Sequence, residues 1–439
     1  MSWLIVFIYE WKHFTKSPFK VIAVILFSIA AIYGLNNGKN LYLKQSSEIA
    51  KVKQKLNEIV TKNVSYYDQE NPIPEDRYWV DLSAPDWAMW YAKGYHFKNP
   101  STAMVYSIGQ AEQYGFYSSV NYMSSPYDHN LTMEIANPEH LQTGRIDFSF
   151  TLIFLLPLVL IILLYNLKSM ENEQGFLTLI EVQTPSKSKW LLTRISFFVS
   201  LVYVLVIALL LLGVFITDVS LINQSAFKEM LIYSFLYLLI WTIIYYFILK
   251  NGKNIIGNTL KMIGVWLLVT FIIPASVNQW VSIEKSANLM TDFIDTSRDK
   301  KKELYSENDS VLLSKLKILF PEIDNSLLLT DSNINKHAFK ESMIALVNEL
   351  KKESVAAIES ENDEKNELVN MSCFINPVTF FQNKFNRISK THYDDYKGYR
   401  NDVQLIIDKQ LEMMILDMWN DVKVDKKRFK EYQKTFNNE

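Results

Sequence analysis

Histidines, one cysteine and a few close carboxylate pairs are the residues of this sequence that could bind a metal or move a proton. No two histidines have the His-x-x-x-His spacing of a helical zinc site, and Cys373 has no second cysteine to pair with. The pairs Asp394-Asp395 and Glu359/Glu361 are typical of a solvated helix face. The histidines are His13, His96, His129, His140, His337 and His392. Two of them, His96 and His129, lie among aromatic and acidic residues, where a metal or proton role competes with simple packing.

Motifs that would give the chain a reaction chemistry of its own are absent from the sequence. No segment matches G-x-x-x-x-G-K-[ST], the loop that cradles phosphates, and none matches the G-x-S-x-G turn that presents a nucleophilic serine. The net charge of −2 gives no sign of a nucleic-acid partner. The sequence therefore predicts a chain that is not an enzyme and binds no cofactor itself.

One mixed segment, YNLKSMENEQGFLTLIEVQTPSKSKWLL, lies between two of the most hydrophobic stretches of the chain. It carries acids, amides, a glycine, a proline and three lysines, whereas a simple turn needs only a few polar residues. The apolar stretches on either side of this segment must position it.

Five apolar runs are long enough to be membrane-spanning helices, for which about 20 apolar residues are needed. They are residues 19–35, 148–167, 191–216, 231–249 and 262–281. The central parts of the last four contain no Asp, Glu, Lys or Arg, which argues against core helices of a soluble protein. The first run could instead be a cleaved signal peptide, but residues 1–18 read as an amphipathic helix on the membrane surface followed by a retained anchor. Lys20, at the edge of that run, is expected to extend towards the membrane surface.

Basic residues near the ends of the runs predict the orientation. They gather before the first run (Lys12, Lys16, Lys20), between the second and third (Lys168, Lys187, Lys189, Arg194), and between the fourth and fifth (Lys250, Lys253, Lys261). The N-terminus and the loops 168–190 and 250–261 are therefore expected in the cytoplasm. The short loop 217–230 and the two large polar regions, 36–147 and 282–439, are expected on the other side.

The two polar regions have different predicted structures. Leu41, Ile49, Val52 and Leu56 have nearly helical spacing, so the first span is expected to continue outward as a helix. The rest of region 36–147 is rich in Pro, Asp and aromatic residues and predicts short strands and turns. Region 282–439 contains long amphipathic patterns and predicts helices. The fold class that follows is an α-helical integral membrane protein with a mixed α/β first insertion and a mainly α second one.

The segment SMENEQGFLTLIEVQTPSKSKWLLTR resembles the cytoplasmic coupling loop of ABC-2 type exporter permeases. In that family an acid, often Glu-x-Gly, precedes a Leu-rich stretch, a proline and a basic and aromatic entry to the next span. Here those are Glu171, Glu173, Gly175, Leu177, Leu179, Pro185 and Lys189-Trp190. The N-terminal YEWKHFTKSPFK resembles the interfacial helix of the same family.

Other segments resemble one branch of these permeases, which has enlarged extracytoplasmic insertions. The carrying features are Asn137-Pro138, Gly144–Asp147 and Leu156-Pro157-Leu158 at the entry to the second span, with SIGQAEQYGFYSSV and NPVTFFQNKFNRISKTHYDDYKGYRNDV elsewhere. The branch normally has six spans, so the resemblance implies a type V exporter-like fold with a sixth span in addition to the five found here.

The resemblance implies a permease subunit in the bacterial inner membrane that receives force from separate ABC ATPase subunits. ATP and Mg²⁺ would bind those ATPases, and the permease would pair with a second copy or a paralogue, with a periplasmic or outer-membrane protein as a further partner. The residues implied in ATPase coupling are Glu171, Glu173, Gln174, Gly175, Thr184, Pro185 and Lys187. The cargo is not readable from the sequence.

Two other classes of function compete with this interpretation. A membrane-anchored scaffold or sensor would use the outer regions to bind a protein and would need no coupling loop. A membrane-embedded enzyme would need clustered polar residues within its spans, and none is evident in the sequence. Pro157 and Pro274, inside the second and fifth runs, are expected to be fixed kinks rather than hinges.

Overall fold

The computed structural model describes residues 3–69, 71–75, 77–127, 146–184, 186–217, 225–284, 289–327, 329–330 and 333–436. Within them, five helices are long and apolar enough to cross a membrane, which confirms an α-helical membrane protein. The spans lie in α2 (Pro18–Ser65), α4 (Phe148–Phe150, Thr151–Leu155 and Leu156–Leu164), α7 (Lys187–Thr217), α8 (Ser225–Asn251) and α9 (Ile255–Leu267, Leu268–Ile272 and Ile273–Glu284).

The remaining helices are shorter or more polar. They are α1 (Trp3–Lys16), α3 (Pro85–Tyr91), α5 (Ser169–Glu173), α6 (Leu177–Gln183), α10 (Leu289–Ser306), α11 (Asp309–Leu319), α12 (Lys336–Met371), α13 (Pro377–Ile388), α14 (Tyr393–Trp419) and α15 (Lys426–Lys434). The described residues also contain two antiparallel strand pairs: β1 (Gly94–Phe97) with β2 (Tyr117–Val120), and β3 (Leu329–Thr330) with β4 (Asn333–Ile334).

The helices are longer than the apolar runs that predicted them. The first run ends at Leu35, but α2 continues to Ser65, which confirms the predicted outward extension. At the other end of the bundle, α7 and α9 begin at Lys187 and Ile255, inside the predicted loops 168–190 and 250–261. Hydropathy marks only the part of a helix that suits lipid, so it cannot locate ends that lie in water or against protein.

The second span, α4, is the centre of the bundle. In its most apolar window 67% of the residues are buried, against 11% in α9. Leu152 and Leu160 of α4 pack into one cluster with side chains from the other helices, namely Phe27, Leu35, Phe198, Val202, Trp241 and Met262. Among the five candidate spans in the described residues, α9 therefore has the smallest buried share of its apolar window.

Each proline inside a span follows a π-helical turn. Thr151–Leu155 precedes Pro157, and Leu268–Ile272 precedes Pro274. Proline has no N–H to donate to the carbonyl four residues earlier, and its ring crowds that carbonyl. For Pro157 the carbonyl is that of Ile153, and it accepts a hydrogen bond of 2.6 Å from the Tyr237 hydroxyl instead. This outside partner supports the interpretation of a fixed kink.

The two polar regions, which the sequence analysis treated separately, share one hydrophobic core. Met89 and Val120 come from the first region, and they cluster with Ile407, Trp419 and Phe429 from the second. We call this unit, built from α3, β1, β2, α11, α12, α14 and α15, the polar domain. Apolar side chains from both regions are thus buried together in one core.

A buried polar network joins the polar domain to the bundle where α4 begins. Asp147 accepts hydrogen bonds from Phe150 N at 2.6 Å and from Ile108 N at 2.8 Å. Burial raises the pKa of this carboxyl group, whereas the hydrogen bonds that it accepts act in the opposite direction. Gly34 of α2 lies against the same turn, since a Cβ there would be 2.5 Å from the backbone carbon of Asp147. Of the other motif residues at this entry, Asn137-Pro138 and Gly144 lie outside the described residues.

Candidate functional site

The segment between α4 and α7 folds into two short helices separated by a sharp turn. Helix α5 starts after Lys168, whose φ is +67°, and ends before Gly175, whose φ is +77°. Glycine suits the second position because it has no Cβ to clash in left-handed backbone conformations. Helix α6 follows, and α7 begins at Lys187. The predicted loop thus consists of two short helices joined by a turn.

Glu171 is paired inside the protein. Its carboxylate forms an ion pair with Arg194 of α7, and the same guanidinium pairs with Glu10 of α1. The Arg194 side chain is 12% exposed and lies over the Trp190 ring, 4.9 Å from its centroid. One buried cation therefore fastens α5, α7 and the N-terminal helix to one another.

Glu173 caps the start of the fifth span. Its Oε1 accepts a hydrogen bond of 2.8 Å from Ile255 N, the first residue of α9. The N-terminal N–H groups of a helix have no partner within the helix, and its dipole favours a negative charge there. The neighbouring Ser169 accepts a 2.6 Å hydrogen bond from Asn258 Nδ2 one turn further along α9. Helix α5 is thus held to α9 at two points.

Lys168 binds the end of the fourth span. Its Nζ donates to the carbonyl oxygens of Leu249 at 3.3 Å and Gly252 at 3.4 Å, and also to that of Lys250. A cation suits the carbonyl-rich C-terminus of a helix. Nearby, Asn172 Nδ2 donates to Lys253 O at 2.7 Å. The α8–α9 connection is therefore clamped by α5.

Lys20 connects the first and second spans at the same end of the bundle. Its Nζ donates to Leu163 O at 2.8 Å and to Asn166 Oδ1 at 3.0 Å, and lies 4.7 Å from the centroid of the Phe198 ring. The side chain, expected from the sequence to extend towards the membrane surface, is buried and bound to the end of α4. The carbonyls at the end of α4 attract it because they lack helical partners.

The other residues implied in coupling form no cluster of their own. Gln174 and Lys187 are exposed, and Thr184 Oγ1 donates to Ile180 O at 2.8 Å within α6. Pro185 lies outside the described residues. The structure thus brings Glu171 and Glu173 together with partners on other helices. Gln174 and Lys187 instead remain exposed on the surface of the segment.

Helix α6 and the residue before it present an apolar face, of which only Leu179 belongs to the family motif identified in the sequence. Phe176, Leu179 and Val182 are 58%, 60% and 89% exposed, and their spacing of three residues places them on one side of the helix. Their recurrence inside an otherwise polar loop was the available signal, because a solvated loop has no need of it. An uncovered stripe of this kind marks an interaction surface.

The histidines and acids considered for metal binding have structural partners. His96 stacks on Tyr399 with 5.2 Å between ring centroids, and its Nε2 is 3.6 Å from Asp402. The prediction that Glu359 lies on a solvated helix face is wrong, because this residue is 6% exposed, pairs with Arg400 and accepts a 2.7 Å hydrogen bond from the Tyr127 hydroxyl. Among the described residues no group of three His, Cys, Asp or Glu side chains is arranged to hold a metal ion. His129 and His140 lie outside the described residues.

Comparisons with protein families, with curated proteins and with solved structures found no match for this chain.

Proposed function

We propose that this protein is the membrane subunit of an ATP-driven ABC exporter of the ABC-2 type, with a type V exporter-like fold in a bacterial inner membrane. Its N-terminus and the α5–α6 segment would be cytoplasmic, and the polar domain would be periplasmic. The five candidate spans support a permease, and the lack of a phosphate-binding loop in the sequence requires a separate ATPase.

The observation that carries the proposal is the combination of an exposed apolar face on α6 with the attachments of α5. A protein that binds Phe176, Leu179 and Val182 would grip a segment that is already fixed to other helices. Lys168 connects the segment to α8, and Glu173 connects it to α9. Arg194 of α7 connects it to α7 and, through Glu10, to α1. Movement of α6 would therefore be transmitted to several spans at once.

This geometry divides the coupling residues into two roles. The apolar face of α6 would dock on the ATPase, since burial of about 25 cal/mol per Å² of apolar surface favours association. Glu171 and Glu173 would transmit the motion within the permease rather than bind the ATPase directly. ATP and Mg²⁺ would bind the two ATPase subunits, and their closure would push α6 and tilt the attached helices.

Pairing with a second permease, as a copy or a paralogue, belongs to the same proposal. The exposed side chains of α9 include Ile256, Leu260 and Leu267, which share one face of the helix. Two such faces can pack together in a bilayer by shape, without a hydrophobic driving force between them. Helix α9 is the span with the least contact to its own bundle, so it offers the most surface for a partner.

Purification of the full-length chain from its native membrane in mild detergent tests this proposal. An ATPase with a phosphate-binding loop should co-purify, and ATP hydrolysis should follow the chain through size exclusion. The double variant Phe176→Asp/Leu179→Asp should remove most of that ATPase. A matched control is Ile318→Asp/Leu405→Asp, which alters two exposed apolar residues of the polar domain and should leave recovery unchanged.

Charge reversal of the acids separates the two roles. Glu171→Lys/Glu173→Lys should lower recovery of the ATPase together with the thermal stability of the permease, because both acids hold α5 in place. The α6 variant should lower recovery alone. A wild-type chain that purifies without any ATPase would instead fit a membrane-anchored scaffold or sensor.

A further inference from the structure

A groove of about 920 Å³ crosses the polar domain between the outer part of α2, strand β1 and the C-terminal helix α15. Its three walls come from parts of the chain that are far apart in sequence. The groove is large enough for a small organic molecule, since ligand sites typically measure about 300–1,000 Å³.

The charge lining this groove is of one sign. Lys53, Lys93, Lys430 and Lys434 line it, and no aspartate or glutamate is among its described lining residues. None of the four forms an ion pair with a carboxylate in the described part of the chain. Two of them approach aromatic rings instead, Lys53 at 5.1 Å from Phe97 and Lys93 at 4.9 Å from Trp90. Four ammonium groups facing a common space repel one another, so an anion between them would be stabilised.

The floor of the groove is apolar. Leu56, Val60 and Val64 recur every four residues and therefore form one stripe along α2. Phe436 lies opposite, directly against Gly94 of β1, where a Cβ would overlap the phenyl ring. Glycine at this position lets the ring lie on the strand and close the groove with a hydrophobic surface.

The groove is remote from the predicted bilayer. Lys53 and Val64 lie 18 and 29 residues beyond Leu35 on one continuous helix. At 1.5 Å per residue these positions are about 27 and 44 Å further along α2. A ligand would therefore enter from the aqueous side and not from the lipid core.

We propose that this groove binds an anionic amphiphile, a molecule that joins a phosphate or carboxylate to an apolar hydrocarbon part. The lysines hold the anionic head, and the stripe of α2 with Phe97 and Phe436 covers the apolar part. Inorganic phosphate lacks the second part and neutral alcohols lack the first, so both bind more weakly. The inference concerns the polar domain alone and does not depend on an ATPase partner.

Isothermal titration calorimetry with octyl phosphate tests the proposal. The full-length protein is placed in nanodiscs of zwitterionic lipid, and the heat of empty nanodiscs is subtracted. We expect saturable binding of octyl phosphate, at least tenfold weaker binding of inorganic phosphate and of octanol, and no binding of octyltrimethylammonium. Binding should weaken as salt is raised from low concentration to about 0.15 M, where the screening length falls to about 8 Å.

Matched charge variants locate the site. Lys53→Glu/Lys434→Glu should raise the dissociation constant at least tenfold. Lys55→Glu/Lys427→Glu changes the net charge by the same amount on the same two helices, but outside the groove, and should change it less than threefold. All four lysines are exposed, so both variants should fold, which a thermal melt verifies. The additional variant Val60→Asn should weaken octyl phosphate while leaving inorganic phosphate unchanged.

Three results would overturn the proposal. One is binding of octyl phosphate that is as strong in both double variants as in the wild type. Another is an equal loss of affinity in both double variants, which would indicate long-range charge alone. The third is tight binding of a polyglutamate peptide with none of octyl phosphate, which would identify the groove as a site for an acidic protein segment.

Discussion

At the scale of single residues, one buried and two partly buried cations hold the end of the bundle that carries α5 and α6. Lys20, Lys168 and Arg194 each bind carbonyl or carboxylate oxygens from a different helix. In the sequence, all three are basic residues near the ends of apolar runs, which predicts a cytoplasmic side. Their individual partners could not be predicted, because residues far apart in sequence meet only after the helices have packed.

Loss of the Arg194 side chain should destabilise the end of the bundle that carries α5 and α6. Arg194→Ala leaves Glu10, which is 5% exposed, and Glu171 without their shared cation. Breaking a buried ion pair from one side costs about 3–5 kcal/mol. We expect a clear drop in the thermal unfolding temperature of the detergent-solubilised protein.

Two further variants interpret that result. Arg194→Lys should recover only part of the stability, since an ammonium group cannot serve two carboxylates in the planar geometry of a guanidinium group. Arg194→Met combined with Glu10→Gln and Glu171→Gln should recover more of the stability than Arg194→Lys does, because it leaves no carboxylate without a cation. Equal stability of Arg194→Ala and the wild type would mean that the ion pairs do not form.

His392 gives the polar domain a dependence on pH. It caps α14, where its Nδ1 accepts a 3.3 Å hydrogen bond from Asp394 N, a role that requires the neutral ring. Burial lowers the pKa of His392 from its usual value of 6.5, with Arg387 acting in the same direction and Asp394 and Asp395 opposing it. A group with a lowered pKa contributes fully above 6.5, and its contribution is lost as pH falls from that value through the folded pKa.

The expected outcome is a loss of stability on acidification from pH 7 to pH 5 that involves α14. His392→Asn keeps a side-chain cap without a titrating group and should flatten this part of the profile. Hydrogen–deuterium exchange of residues 393–400 at several pH values measures it. The same slope in wild type and variant would show that another group is responsible.

At the scale of helices, sequence patterns gave the identity of the spans but not their ends or bends. The apolar runs located all five candidate spans because lipid selects for uninterrupted hydrophobicity. The spacing of Leu41, Ile49 and Leu56 also predicted the outward extension of α2. The π-helical turns were not predictable, since they depend on which neighbour can satisfy the carbonyl groups that a proline frees.

The bend in α4 should depend on Tyr237. Tyr237→Phe removes the hydroxyl that binds Ile153 O and leaves that buried carbonyl without its partner. We expect a loss of about 1–2 kcal/mol in the free energy of unfolding, measured by denaturant titration in micelles. Tyr203→Phe is the matched control, because its hydroxyl makes a longer bond of 3.4 Å to Leu231 O and should matter less. If the Tyr237 variant is as stable as the control, the Tyr237 hydroxyl does not stabilise the kink.

The coupling segment shows what a family resemblance can and cannot supply. Its motif drew attention to Glu171 and Glu173, and the structure gives both of them partners within the chain. The apolar face of α6 was visible in the sequence as Phe176, Leu179 and Val182, but a short run of this kind has no meaning until the helix is known to be uncovered.

At the scale of the whole molecule, the two polar insertions form one unit. Trp419 is fully buried in their shared core, and its Nε1 donates a 2.9 Å hydrogen bond to Ser342. The composition of each region suggested a separate domain, because the sequence holds no sign of which distant apolar residues will meet. Pairing between insertions separated by four spans is a property of the folded chain alone.

Removing this side chain should therefore affect both insertions. Trp419→Ala deletes a large core side chain, a change that typically costs about 3–5 kcal/mol. Hydrogen–deuterium exchange should accelerate in α14 and equally in the segment from α3 to β2, residues 85–120. Faster exchange confined to α12, α14 and α15 would instead indicate that the first insertion folds independently.

The length of α2 has a mechanical consequence. Its 48 residues form a rod of about 72 Å, with Lys20 bound to α4 near one end and the lysine-lined groove near the other. A rigid rod that pivots by about 5° at its base moves its tip by about 6 Å. A helix of this length would thus turn a small rotation at the Lys20 end into a displacement as wide as a side chain at the groove.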